Sequence, residues 1–228
     1  QDITTEQHLD FARNFGELEV HPFAPHKDGY PEVLAIHHNI DRPGQENGWH
    51  SDVTWRQEPS LGSILRCLEC PPIGGDTLFS DSYAAYDNLP EAVREKAEGK
   101  YALHDFEGFR MRLRAKGVGE EKIAEFNETY PNPEHPVIRT HPETGRKCLF
   151  VNRSFTQRFD GWTREESLPL LDYLWVHGAR PEFTVRWRWR AGDAALWDNR
   201  CTMHNAVNDY AGQRRVMNRV AIHGDRPH

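Results

Sequence analysis

Alternation of apolar and polar residues is clearest over Phe183 to Arg190, where Phe183, Val185, Trp187 and Trp189 interleave with Thr184 and three arginines. A period of two puts the apolar set on one face and predicts a strand. Further strands are predicted at Val33–His38, Ser60–Leu68, Ala194–Trp197 and Arg214–His223, and at Leu78–Phe79 after the turn-rich Pro71 to Thr77. Pro136–Thr140 and Lys147–Asn152 flank Glu143-Thr144-Gly145 as a hairpin. Helical signals are fewer. A threonine of the Thr4-Thr5 pair caps a short amphipathic run with Leu9, Ala12 and Phe15 on one side and Gly16 behind it. Asp81-Ser82 opens a helix through Tyr86, Pro90 starts another to Ala97, and Thr163-Arg164-Glu165-Glu166 forms a capping box for a helix to about Val176. From Glu107 to Pro136 the strand pattern stops. The segment is charged and poor in β-formers, with one helical patch near Glu120 to Tyr130, and reads as an insertion or lid.

Short strands separated by turns, with a few peripheral helices, predict a mainly β fold of the jelly-roll type, a double-stranded β-helix. There are no repeats, low-complexity tracts or linkers, so residues 1–228 are expected to form one domain. Apolar, aromatic and cysteine residues make up 37% of the chain, enough for a sizeable core. No apolar run approaches the ~20 residues that span a bilayer, and no signal-like h-region opens the chain, so no membrane partner and a cytoplasmic location are expected. A net charge of −7 argues against nucleic acid as a partner.

Four cysteines are too few and scattered for a disulfide scaffold. Cys67 and Cys70 form a C-x-x-C, but on a strand residues three apart face opposite sides, so the two thiols are not expected to converge.

Candidate chemistry centres on Trp49-His50-Ser51-Asp52. On an extended chain His50 and Asp52 point the same way, and His204, just past a strand-like run, supplies a third donor. In a chain with 13 histidines a lone His-x-Asp means little. Two histidines and one carboxylate on one side of an ion, with adjacent positions open, suit non-haem Fe(II). On the last strand Arg215 and Arg219 share a face with Met217, roughly 13 Å apart at ~3.3 Å per residue, which suggests two separate anion sites. Two exposed arginines on an edge strand would give the same pattern. The same ligands also suit a zinc-dependent hydrolase or lyase on a cupin-type barrel, and a barrel that has lost its iron would be a binding module.

Several stretches together resemble the TauD/TfdA family of Fe(II)- and 2-oxoglutarate-dependent dioxygenases, the taurine branch most of all. They are Phe15-Gly16-Glu17-Leu18 with His21-Pro22, Trp49 to Thr54, Gly74-Gly75-Asp76-Thr77-Leu78, Arg139-Thr140-His141-Pro142, Leu149 to Asn152, Val185 to Trp189, Trp197-Asp198-Asn199-Arg200, and Arg214 to Arg219. The resemblance implies Fe(II) on His50, Asp52 and His204, with 2-oxoglutarate and O2 as co-substrates. It implies Arg215 and Thr77 at the distal carboxylate of 2-oxoglutarate, and His21 and Arg219 at the anionic head group of a small organic acid. The implied reaction hydroxylates the carbon beside that group, giving succinate and CO2. A sulfonate such as taurine or a relative is the first expectation, alkyl sulfate esters or aryloxyalkanoates the alternative. Glu46 stands where the taurine enzymes carry asparagine, and Phe109 lies in a segment, Glu107 to Arg112, that also departs from them. Both are taken as substrate-facing positions that set this chain apart. The resemblance further implies a homodimer or homotetramer, and an N-terminal part of the family domain preceding residue 1.

Overall fold

The computed structural model describes residues 1–228 apart from Phe23, Gln45, Glu46, Asn47 and Lys116. In chain order the elements are α1 (Thr5–Arg13), β1 (His26–Lys27), β2 (Tyr30–His38), β3 (Gly62–Glu69), β4 (Thr77–Asp81), α2 (Ser82–Asp87), α3 (Glu91–Ala97), β5 (Tyr101–His104), α4 (Glu107–Ala115) and α5 (Glu120–Thr129). They continue with β6 (Glu134–Pro136), β7 (Ile138–Thr140), β8 (Lys147–Leu149), β9 (Thr156–Phe159), α6 (Arg164–Gly178), β10 (Thr184–Trp187), β11 (Ala194–Asp198), β12 (Thr202–Ala206) and β13 (Arg215–Ile222).

A major sheet of order β1-β2-β13-β3-β11 faces a minor sheet of order β10-β4-β12, the two halves of a jelly roll. β13 runs antiparallel between β2 and β3, and residues from both of its faces are buried. Its inward Met217 packs with Leu65, Cys67, Trp189 and Trp197 between the sheets. Its outward Val220 meets Val33, Ile64 and the Leu9–Ala12 face of α1. The Thr4 hydroxyl accepts from Gln7 N–H while the Gln7 side chain accepts from Thr4 N–H, the reciprocal cap that starts α1. Thr163 and Glu166 do the same for α6. That helix contributes Leu171 and Leu174 to a separate core with Ala102, Leu149, Val151 and Phe159, under the small β6-β5-β9 sheet.

Three expectations change. The alternation from Phe183 ends as a strand at Trp187, and β10 is an edge strand whose Val185 and Trp187 remain exposed, because no further strand of the minor sheet covers them. The segment 107–136 holds two helices rather than one, and its end enters β6. The second helix buries Ile123 and Phe126, while the first packs Phe109 against the same aromatic cluster and buries the charged Arg110, which hid its inner face from a hydrophobic count. The third change is in β3, where Val216 and Met217 of β13 oppose Glu69 and Cys67, so Leu68 is an extra residue. This bulge reverses the alternation and brings Cys70 against Cys67. The Cys67 thiol is pushed up to about 12, by burial first and then by Cys70, so it stays protonated and inert.

Behind the first strands of the site lies a buried polar network. His104 Nδ1 meets the Thr54 hydroxyl at 2.9 Å, and His135 Nε2 donates to the carbonyls of Thr54 (2.8 Å) and Arg56 (3.0 Å). Burial, and then the neighbouring His135, holds His104 well below its ordinary value; burial takes His135 down to about 4. Both are neutral in the fold and gain a proton only on unfolding. Stability is therefore lost as pH falls from about 6.5 toward the folded values, by up to ~1.4 kcal/mol per pH unit for each histidine. The urea midpoint is expected to be clearly lower at pH 5 than at pH 7.5; equal midpoints would contradict the neutral assignment.

Candidate metal centre

His50, Asp52 and His204 converge. One ligand atom from each lies within 4.8 Å of the others. The Nε2 atoms of His50 and His204 stand 3.7 and 3.9 Å from Asp52 Oδ1. One ion spans such gaps, since two ligands each about 2.1 Å from a metal stand up to about 4.2 Å apart. The convergence does not arise from strand alternation. His50 makes an isolated bridge to His204, while Asp52 sits in a turn followed by Val53 at φ 48°, the one described non-glycine residue in the left-handed region.

The protonation states suit a divalent cation. His50 Nδ1–H donates to Gly48 O at 2.8 Å, leaving the Nε2 lone pair directed at the centre. Burial first, then His50, lowers His204 to about 3, so its imidazole is neutral. Burial would raise the Asp52 carboxyl, but Arg219 beside it overcomes this and holds it well below the usual carboxylate range. Ser63 Oγ donates to Asp52 Oδ2 at 3.2 Å, which turns Oδ1 toward the histidines. Two imidazoles and one carboxylate form a donor set that fits Fe(II).

A second group, His141, Asp198 and Cys201, has similar spacing. Asp198 is already saturated by Arg200 Nε, Arg200 Nη2, Arg200 N–H and His141 Nε2. His141 Nδ1 accepts from Glu143 and Thr144 N–H, and burial pushes Cys201 up to about 11. Its lone pairs are spent within the protein.

Arg219 Nη1 donates to Asp52 Oδ1 at 2.8 Å, so its cationic head lies at the ligand set itself. His21 is close to the same group: burial, then Arg219 and Arg56, lowers it to about 4. Its Nδ1 accepts from Ala24 N–H at 3.1 Å, which leaves the ring proton on Nε2 as a donor. Arg215 is a separate place. It is 4% exposed, and its Nε donates to Gly75 O at 3.1 Å. Gly74 and Gly75 both take positive φ, and a Cβ on Gly75 would lie 3.2 Å from Arg215 Cδ. Thr77, two residues on, is fixed by the indole N–H of Trp189 at 2.9 Å, with its own hydroxyl proton still to give.

Phe109 lies further out than expected. It stacks on Phe106 at 4.7 Å, Phe106 meets Phe155 at 5.7 Å, and Phe155 stands edge-on to His50 at 6.1 Å. The rings against the ligand residues are Phe155 on His50 and Trp197 and Phe79 on His204; Phe106 lies behind Phe155, with Trp55 stacked on it at 4.6 Å. Glu46 falls outside the described residues. Sequence reasoning gave no role to Ser63 or Asn199. A serine in an apolar strand three residues from Ser60 carried no signal, whereas Asn199 sat within a quoted motif.

The model of the "Taurine catabolism dioxygenase TauD, TfdA family" matches residues 1–221. The chain belongs to the TauD/TfdA family. It is 39% identical over 234 residues to an alpha-ketoglutarate-dependent sulfate ester dioxygenase of Pseudomonas putida, covering 97% of this chain and 76% of that protein. An alkylsulfatase of Acinetobacter baylyi is 38% identical over 225 residues, 97% of this chain and 69% of its own length. The crystal structure of a putative alpha-ketoglutarate-dependent taurine dioxygenase from Burkholderia xenovorans superposes with a TM-score of 0.83 at 38% identity, over 100% of this chain and 77% of that one. Membership in the family confirms the jelly roll. Among the described residues no helix is long and apolar enough to cross a membrane.

Proposed function

We propose that this chain is an Fe(II)- and 2-oxoglutarate-dependent dioxygenase that hydroxylates the carbon beside the sulfur-containing anionic group of a small organic acid, a sulfonate or a sulfate ester. The observation that carries this reading is Arg219, whose guanidinium shares Asp52 Oδ1 with the two imidazoles. An anion paired with Arg219 and with the Nε2–H of His21 is held within bonding reach of the metal position, so its neighbouring carbon faces the oxidising centre.

His50, Asp52 and His204 would hold the iron. Bound there with 2-oxoglutarate, the iron supplies oxidising power from O2, at the cost of 2-oxoglutarate going to succinate and CO2. Arg215 would take the far carboxylate of 2-oxoglutarate, with the Thr77 hydroxyl donating beside it. Phe155 and Phe106 would exclude water and receive the organic part of the substrate. Hydroxylation beside a sulfonate releases sulfite and leaves an aldehyde; beside a sulfate oxygen it releases sulfate.

The same aromatic wall favours one class among the expected substrates. An alkyl chain buries its whole length against the Phe155 and Phe106 rings, whereas an ammonium group like that of taurine gains only a cation–π contact there. The names of the Pseudomonas and Acinetobacter relatives point the same way. Alkyl sulfate esters are therefore the first choice, with sulfonates and aryloxyalkanoates behind them. We read residues 107–136 as a lid over this wall within a single domain, in a cytoplasmic enzyme that assembles as a dimer or tetramer.

The test is succinate formation with Fe(II), 2-oxoglutarate and O2 across matched alkyl sulfates, alkyl sulfonates, taurine and aryloxyalkanoates. Medium-chain alkyl sulfates are expected to stimulate turnover most. Taurine as the best substrate would overturn the preference, and hydrolysis without O2 or 2-oxoglutarate would overturn the reaction class.

A further inference from the structure

We propose that Asn199 is a positioning residue for the metal centre, its side-chain amide setting the aim of the Asp52 carboxylate and coupling it to His204. The proposal rests on the metal reading above. Asn199 is fully buried, and its Oδ1 accepts from Asp52 N–H at 2.6 Å while its Nδ2 donates to Asp52 O at 3.0 Å. One amide thus grips both peptide groups of the same residue. With the peptide planes on each side held, the Cα–Cβ direction of Asp52 is held too. The second Nδ2 hydrogen goes to Ser60 O at 3.0 Å, and the Asn199 backbone N–H to Leu61 O at 2.8 Å.

Three segments therefore meet on one side chain: the turn carrying Asp52, the chain entering β3, and the turn that crosses from β11 in the major sheet to β12 in the minor one. His204 follows that same turn, in β12. Two other links run in parallel, His50 and His204 exchanging both backbone hydrogen bonds at 3.0 and 2.8 Å and Ser51 Oγ donating to Thr202 O at 3.0 Å. These fix His50 against His204. Only Asn199 fixes Asp52 among these links.

The clamp also works against strain. Val53, β-branched and 6% exposed, follows Asp52 at φ 48°, a conformation that costs of order 1–3 kcal/mol unless its surroundings enforce it. Released from Asn199, the Asp52–Val53 peptide can rotate toward an ordinary conformation and carry the carboxylate with it. No other residue type reproduces the grip. Aspartate keeps the bond from Asp52 N–H but sets an acceptor against the carbonyls of Asp52 and Ser60, leucine keeps the volume and loses every bond, and glutamine is one methylene too long.

Metal-free wild type, Asn199→Asp and Asn199→Leu would be titrated anaerobically with Co(II), following its visible absorption, with urea unfolding of each metal-free protein alongside. Leu174→Ala, in the distant core under α6, is the control for general destabilisation. Both Asn199 variants are expected to bind Co(II) about 10–100-fold more weakly, with an altered visible band, while still folded. Leu174→Ala should lower the urea midpoint and leave the Co(II) affinity and band alone. Folded Asn199 variants with the wild-type affinity and band would overturn the positioning role. If Asn199→Leu does not fold, Asn199→Asp decides alone, being isosteric. Wild type that fails to bind Co(II) would instead overturn the metal reading on which the proposal stands.

Discussion

Replacing His204 with alanine is expected to lower 2-oxoglutarate turnover by about 10³-fold or more, equivalent to about 4 kcal/mol of lost transition-state stabilisation. Two donors would remain, and His50 with Asp52 alone leave too many positions on the ion open to water. The fold should tolerate the change. His204 packs between Trp197 and Phe79, at 4.9 and 6.2 Å between ring centroids, and its removal costs the ~0.5–3 kcal/mol usual for a single substitution. Asp52 keeps Arg219 and Ser63 as partners, so no buried charge is stranded. Truncating Asp52 would be a poorer probe, since it would leave the largely buried Arg219 guanidinium without its carboxylate. Succinate formation and Fe(II) titration measure the two consequences together. Retention of full activity by His204→Ala would mean that the third ligand is elsewhere.

Arg215→Ala and Arg219→Ala should separate the two co-substrates. Arg215 sits against the Gly74–Thr77 turn and Arg219 against Asp52, on the same strand but at different partners. A charge-assisted hydrogen bond contributes roughly 1.5–3 kcal/mol, so loss of Arg215 should raise the KM for 2-oxoglutarate about 100-fold. The KM for the organic acid should move little. Arg219→Ala should do the reverse, and it has a second signature. Without the guanidinium, burial is free to raise the Asp52 carboxyl. A raised value means that Asp52 binds a proton at higher pH, so the acid limb of activity should shift upward. Steady-state kinetics with each co-substrate varied, repeated between pH 5 and 8, reads both effects. Equal changes in both KM values for both variants would contradict two separate anion sites.

Local chemistry made much of the framework legible. Thr4 with Gln7 and Thr163 with Glu166 are caps whose partners lie three residues apart, so the helix starts follow from neighbours alone. Alternation placed β10, short apolar runs between turns placed β2, β3, β11 and β13, and paired glycines before Asp76-Thr77 announced a turn that positive φ allows. Motif order and spacing singled out His50, Asp52 and His204, which the fold brings together, and the two arginines of β13 before any geometry. What needed the folded chain is whatever depends on partners remote in sequence. Asp52 reaches the centre from a turn rather than a strand because Asn199, 147 residues away, holds its backbone. The Leu68 bulge exists only against β13, and Arg219 finds Asp52 only because β13 lies at the centre of the major sheet. Residue types set which groups can bind iron and anions; long-range pairing decided where their atoms point, since no window of neighbouring residues contains both ends of those contacts.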